Sequence, residues 1–253
     1  MNILTDSVPI IVQREFGTSA TEPITPPLRE GEIHVWRQPL DRETVSVEAF
    51  SGLLSADEQD RAQRFRFERD RNEFIVSRGT LRTLLAAYQG TPAGQLQFAY
   101  SAFGRPSLIE GKNFTPIEFN ISHSGGVTLL AFSRSRRIGI DIEEGRRDFD
   151  PTDIAERFFS QSERSALRDL PPDLRYEAFF CCWTRKEAFI KALGEGLSHP
   201  LDAFDVSLTR GVTAALLATR PNADEVARWA LRDIAAPEGY VASLAVELAL
   251  TAT

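Results

Sequence analysis

With 253 residues, 42% of them hydrophobic and 26% charged, the chain can bury one large core or two of ordinary size. A formal net charge of −7 supplies no global basic field, which argues against nucleic acid or an anionic membrane surface as a partner. No run is long enough to span a bilayer. The opening residues lack a basic segment followed by an apolar one, and the two cysteines, Cys181 and Cys182, are adjacent and suit neither a structural disulfide nor a metal finger. A cytoplasmic, α+β protein with two reduced thiols is the expectation.

Residues 1–30 read as an N-terminal extension, because "TEPITPPLREG" is rich in proline and poor in apolar periodicity. "EIHVWRQPL" reads as a first strand, and the block from Ser55 to Gly90 as helical, with Ser55 as N-cap and an acid three residues on. "QLQFAYSAFGRPSLIE" and "EFNISHSGGVTLLAFS" read as strands joined by a Gly-Pro turn, and "RRIGIDIEE" as another strand. After Pro151 helices resume. "FIVSRGTLRTLL" and "FCCWTRKEAFIKAL" echo one another: each follows a capping serine and leads to a glycine stop. The echo suggests two similar lobes, over 31–133 and 134–253, with a site at their junction.

The chemistry concentrates in three places. Within "GIDIEE", alternation along a strand puts Asp141 and Glu143 on one face and Ile140 and Ile142 on the other. Two carboxylates so close raise each other's pKa unless a cation relieves them, and a hard divalent ion held by oxygens would do so. On this pattern alone, a solvent-facing acidic strand edge countered by Arg146 and Arg147 fits better. On the helix in "CWTRKEAFIKALGEGL", Trp183, Glu187 and Lys191 recur every four residues and share a face, although a surface Glu–Lys pair would give the same spacing. "FNISHSGG" offers Ser122, His123, Ser124 and glycines that could hold phosphate oxygens. A nucleophilic Ser–His pair is disfavoured there, since strand neighbours point apart and no G-x-S-x-G elbow is present.

In their order and spacing, "FGRPSL", "FNISHSG", "IGIDIE", "FFSQSE" and "WTRKEAFIKALGEGLSHPLDAFDV" resemble the surfactin-synthetase type of 4′-phosphopantetheinyl transferase, over roughly residues 33–210. The resemblance implies a pseudo-symmetric, two-lobed α+β fold that binds coenzyme A, with Mg²⁺ (or Mn²⁺) on its pyrophosphate. It implies Asp141 and Glu143 as metal ligands, Glu187 as the third metal ligand, the base or both, and Lys191 as the catalytic cation facing phosphate. Coenzyme A contacts would come from Arg61, Arg64, Arg78, Gly104, Arg105, Pro106, Ser122, His123, Lys186 and Lys191. Arg105 stands where many members have lysine, and Glu58 and Gln59 stand in a region that is often basic. The reaction implied moves phosphopantetheine to a serine of an apo acyl or peptidyl carrier protein and releases 3′,5′-ADP. A monomer suffices if one chain holds both lobes. A different Mg²⁺-dependent nucleotide enzyme is weakened by the lack of G-x-x-x-x-G-K-[ST] and of G-x-G-x-x-G after a strand. A non-catalytic coenzyme A-binding scaffold should first have lost the acids, and all three are present.

Overall fold

The computed structural model describes residues 9–17, 25–40, 45–109, 111, 114–145 and 149–248. The elements of the N-terminal half are β1 (Ile10–Glu15), β2 (Glu32–Pro39), α1 (Val47–Ser51), α2 (Ala56–Gln63), α3 (Glu68–Gln89), β3 (Phe98–Tyr100) and β4 (Pro106–Leu108). Then follow β5 (Glu118–Ser124), β6 (Val127–Ser133), β7 (Ile138–Glu144), α4 (Pro151–Phe158), α5 (Gln161–Asp169) and α6 (Pro172–Leu193). Four strands close the order: β8 (Phe204–Val206), β9 (Leu216–Thr219), β10 (Trp229–Asp233) and β11 (Tyr240–Glu247). The mixture of helix and sheet is the expected α+β class.

Contacts divide the chain into two compact units. One holds Ile10–Ile117 and Gly126–Ser135, and the other holds Glu118–Gly125 and the described residues from Arg136 onward. The division is not a single cut, because β5 is bound by its side chains to β7, downstream of β6.

In the first unit β2 is the central strand, pairing in parallel with β1 and antiparallel with β6. β1 lies inside the segment expected as an extension over 1–30. Its β-branched start, Ile10 to Val12, is the sequence signal for it, whereas residues 1–8 and 18–24 fall outside the described part. The expected helical block is broken between α2 and α3 by Phe67, which is extended at φ −100°, ψ 136°. No glycine or proline marks that break. Tyr88 of α3 ties the helix to the sheet, its hydroxyl accepting from the Trp36 indole at 2.8 Å while its ring packs 5.2 Å from Phe132. The strand pair expected around "FGRP" is a short hairpin of its own: β3 and β4 pair, and the Ser101 amide donates to the Arg105 carbonyl across a turn with Gly104 at φ +77°.

In the second unit β11 lies between β10 and β7, antiparallel to both, and α6 packs across β7 and β11. α6 is buried along most of its length, against aromatic residues such as Phe159, Phe204 and Trp229. Its backbone comes unusually close to β7 at Gly139, where a Cβ would lie 2.1 Å from the Ala188 carbonyl and 2.4 Å from the Ala192 amide. Only glycine permits that approach.

The echo seen in the sequence is a repeated structural device. Ser55 with Glu58, and Ser160 with Glu163, each form a capping box. Each box precedes a 22-residue helix that ends at a left-handed glycine, Gly90 at φ 62° and Gly194 at φ 80°. In each unit the boxed glutamate pairs with a buried cation of that helix, Arg82 at 2.6 Å or Lys186 at 2.8 Å. The cation then donates to two carbonyls three residues apart, Ala93 and Leu96 for Arg82, Leu201 and Phe204 for Lys186. Counting from those cations, Glu187 and Lys191 of α6 correspond to Thr83 and Ala87 of α3. The architecture repeats, but Glu187 and Lys191 do not.

Candidate functional site

The site is built on one face of β7 and one stripe of α6, both in the second unit. Gly139, Asp141 and Glu143 share the face that α6 covers. Asp141 is only 3% exposed, so the reading of a solvated acidic edge does not hold. Arg146 and Arg147, the countercharges that reading required, lie outside the described residues. On α6 the residues from Ala178 to Ala192 are buried except for Trp183, Glu187 and Lys191. The stripe predicted from the four-residue spacing is thus the part of the helix that opens from the core.

Lys191 reaches back to β7. Its ammonium donates to Asp141 Oδ1 at 2.6 Å, Ser122 Oγ at 2.9 Å and the Ile140 carbonyl at 3.3 Å. Ser122 in turn donates to Asp141 Oδ1 at 2.8 Å, while Asp141 Oδ2 is buried with no hydrogen-bond partner. Glu143 is held by Ser124 Oγ, which donates to it at 2.9 Å. Burial, and then the nearby Asp141, hold the Glu143 carboxyl above the usual carboxylate range. Burial pushes Glu187 up to about 7, with Asp141 and Glu143 adding to the rise and Lys191 opposing it. Among the described residues Asp141, Glu143 and Glu187 thus meet the one ammonium of Lys191, and the acids' mutual repulsion adds to burial in holding the Glu143 and Glu187 carboxyls up.

These residues have the composition of a site for a hard cation. The donors are all oxygens, one of them a buried oxygen lacking a partner, and the surplus charge is negative. Among the described residues no group of three or more acid, imidazole or thiol side chains is already placed to hold a metal ion.

Other expected residues lie elsewhere. Lys186, expected at coenzyme A, is fully buried, and its ammonium is taken by Glu163, the Leu201 carbonyl at 2.7 Å and the Phe204 carbonyl at 2.6 Å. All its protons are committed, because on a helix Lys186 turns about 100° away from Glu187. His123 is exposed and, by strand alternation, points opposite to Ser122 and Ser124. In the first unit Arg78 is buried and paired with Glu58 at 3.0 Å, donates to the Tyr100 hydroxyl at 2.7 Å, and lies over the Phe98 ring. Its guanidinium is built into the structure. Arg61 and Arg64 are exposed and, with Asp57, Phe65 and Tyr100, line a cavity of about 570 Å³. Gly104, Arg105 and Pro106 form the turn and strand start of the β3–β4 hairpin.

Gly139 was not singled out from the sequence, and Ser124 was read only as a phosphate contact. The link from Ser124 to Glu143 depends on strand register, and the need for Gly139 depends on helix–strand distance. A period-two polar run opposite "IGIDIE" is the available signal for Ser124, and the glycine two residues before Asp141 is the signal for the close approach.

Residues 137–245 match the family model described as the 4′-phosphopantetheinyl transferase superfamily, and residues 38–135 match that described as 4′-phosphopantetheinyl transferase, N-terminal. The chain is 37% identical to the 4′-phosphopantetheinyl transferase HetI of Nostoc sp. over 219 residues, 87% of this chain and 89% of the relative. It is 33% identical to the 4′-phosphopantetheinyl transferase Sfp of Bacillus subtilis over 171 residues, 68% and 73% of the two chains. A human relative, the L-aminoadipate-semialdehyde dehydrogenase-phosphopantetheinyl transferase, is 29% identical over 164 residues, covering 62% and 53%.

Proposed function

Because the chain belongs to the 4′-phosphopantetheinyl transferase family and is a transferase, we propose that it moves phosphopantetheine from coenzyme A to a serine of an apo acyl or peptidyl carrier protein. The observation that carries this reading is the cluster of Asp141, Glu143, Glu187 and Lys191, with its unpartnered buried oxygen on Asp141. The serine oxygen forms a bond to the β-phosphorus of coenzyme A, the bond to the departing 3′,5′-ADP oxygen breaks, and the hydroxyl proton passes to a carboxylate. Glu187 suits that role: burial and the neighbouring acids raise its carboxyl to about 7 before any cation is bound, and a cation beside it would favour the ionised form that accepts the proton.

Asp141, Glu143 and Glu187 would hold Mg²⁺, with Mn²⁺ able to replace it, and the ion supplies charge neutralisation at the pyrophosphate when bound. Lys191, partly exposed at 27% of its side chain, is tethered to Asp141 and can share its charge with an adjacent phosphate oxygen. Ser122 and Asp141 hold that lysine in place. Arg61 and Arg64, at their cavity, suit the phosphate of the nucleotide end, and the Arg105 turn offers another cation. His123 supplies an exposed imidazole for a phosphate oxygen.

No covalent enzyme intermediate is required. Burial raises the thiols of both Cys181, to about 11, and Cys182, so neither is a ready nucleophile. Among the described residues no helix is long and apolar enough to cross a membrane. The reading takes the protein to act as a cytoplasmic monomer. The test is intact mass of several apo carriers after incubation with protein, coenzyme A and Mg²⁺. A gain of one phosphopantetheine supports the reading, and no gain on any carrier class contradicts it.

A further inference from the structure

β5 meets β7 through its side chains. Asn120, Ser122 and Ser124 alternate along the strand, and each accepts a backbone N–H from β7: Ile140 to Asn120 Oδ1 at 2.9 Å, Ile142 to Ser122 Oγ at 3.4 Å, and Glu144 to Ser124 Oγ at 3.1 Å. The three rungs therefore occupy one constant register. A serine hydroxyl that has accepted an N–H still has one proton to give. Ser122 gives it to Asp141 at 2.8 Å and Ser124 gives it to Glu143 at 2.9 Å. The corresponding position opposite Asn120 is Gly139, which has no side chain to receive a donor.

From this register we infer that Ser124 is a positioning residue: it fixes the Glu143 carboxylate for a divalent cation and does not itself donate to phosphate. This rests on the cation-binding reading of the same site. A long glutamate side chain loses considerable rotamer freedom when held in one place, and Ser124 restricts Glu143 before any ligand arrives. Carboxylates that bind metals are commonly held in this way, and loss of such a partner typically weakens metal binding 10- to 100-fold. Asn120 serves as an internal comparison, since it carries the same backbone rung and touches no carboxylate.

The experiment titrates Mn²⁺ into the coenzyme A-loaded protein and follows loss of the free-ion electron paramagnetic resonance signal, with unfolding temperatures recorded for every variant. Ser124 is half-buried, so water can take over the Glu144 N–H when Ser124 is replaced by alanine. Ser124→Ala should weaken Mn²⁺ binding about tenfold, Ser124→Thr should restore it by keeping the hydroxyl, and Asn120→Ala should lower the unfolding temperature without changing Mn²⁺ affinity. The inference is overturned if Ser124→Ala binds Mn²⁺ like the wild type, or if Asn120→Ala loses as much affinity as Ser124→Ala. Carrier modification by the wild type is measured alongside. Ser124-dependent Mn²⁺ binding without carrier modification refutes the functional reading and leaves the positioning role standing. Carrier modification with Ser124-independent Mn²⁺ binding refutes the positioning role alone.

Discussion

The raised pKa of Glu187 makes the unliganded site a cost to stability, and Glu187→Gln exposes it. The carboxyl titrates at about 7 in the folded protein against an ordinary value of 4.5. Between those values the folded chain keeps a proton that the unfolded chain has released, so this group lowers stability as pH rises through the window and adds no further change above it. The difference corresponds to ~2–3 kcal/mol once partial hydration of the site is allowed for. Glutamine is neutral throughout and escapes this loss. In chelator, wild type and Glu187→Gln should unfold at similar temperatures near pH 4.5. By pH 8 the variant should be ahead by about 5–10 °C, at 2–4 °C per kcal/mol for a chain of this size. Added Mg²⁺ with coenzyme A should narrow the gap, because the ligands bind only the folded wild-type site tightly. Thermal melts across pH at low salt measure this. A gap that does not change with pH, or one that favours the wild type at pH 8, would refute the burial-and-repulsion account of the site.

Other consequences concern the frame and the cation. Gly139→Ala should cost more than about 3 kcal/mol and largely abolish soluble folded protein, since its Cβ meets helix backbone that cannot move aside; a well-folded, active variant in circular dichroism and transfer assays contradicts that. Lys186→Met should cost ~3–5 kcal/mol by leaving Glu163 buried and unpaired, and adding Glu163→Gln should recover part of it; denaturant melts showing simple additivity would mean the pair is uncoupled. Lys191→Ala should weaken coenzyme A binding and slow transfer, while Glu187→Gln should chiefly lower kcat. If calorimetry and single-turnover rates match the wild type for both variants, neither residue serves coenzyme A binding or transfer.

Much of the site could be read from sequence because it depends on short-range periodicity. Alternation fixed the shared face of Asp141 and Glu143, and four-residue spacing fixed the stripe of Trp183, Glu187 and Lys191. What could not be read was long-range. Lys186 sits beside Glu187 in sequence, yet its partners are Glu163 and two carbonyls 15 and 18 residues away, set by the packing of α5, α6 and the segment leading into β8. Arg78 was legible as a cation but not as the partner of Glu58, whose acidic character had looked like a departure and is instead the ion-pair partner of two buried arginines. β1 was hidden by its proline-rich surroundings, and the break before α3 by the absence of any breaker residue. The internal echo was legible because capping boxes and glycine stops are local. That Glu187 has no acidic counterpart in the other copy follows from aligning it with Thr83.

The central claim is that the carboxylates on β7 and α6, with Lys191, promote direct transfer of phosphopantetheine from coenzyme A to a carrier serine. Its most direct test is intact mass of an apo carrier after a single turnover with coenzyme A and Mg²⁺, using wild type, Asp141→Ala and a carrier whose acceptor serine is alanine. The account predicts one phosphopantetheine added by the wild type, greatly slowed addition by folded Asp141→Ala that higher Mg²⁺ partly restores, and none on the serine-less carrier. Wild-type rate and unchanged Mg²⁺ dependence in Asp141→Ala would contradict it.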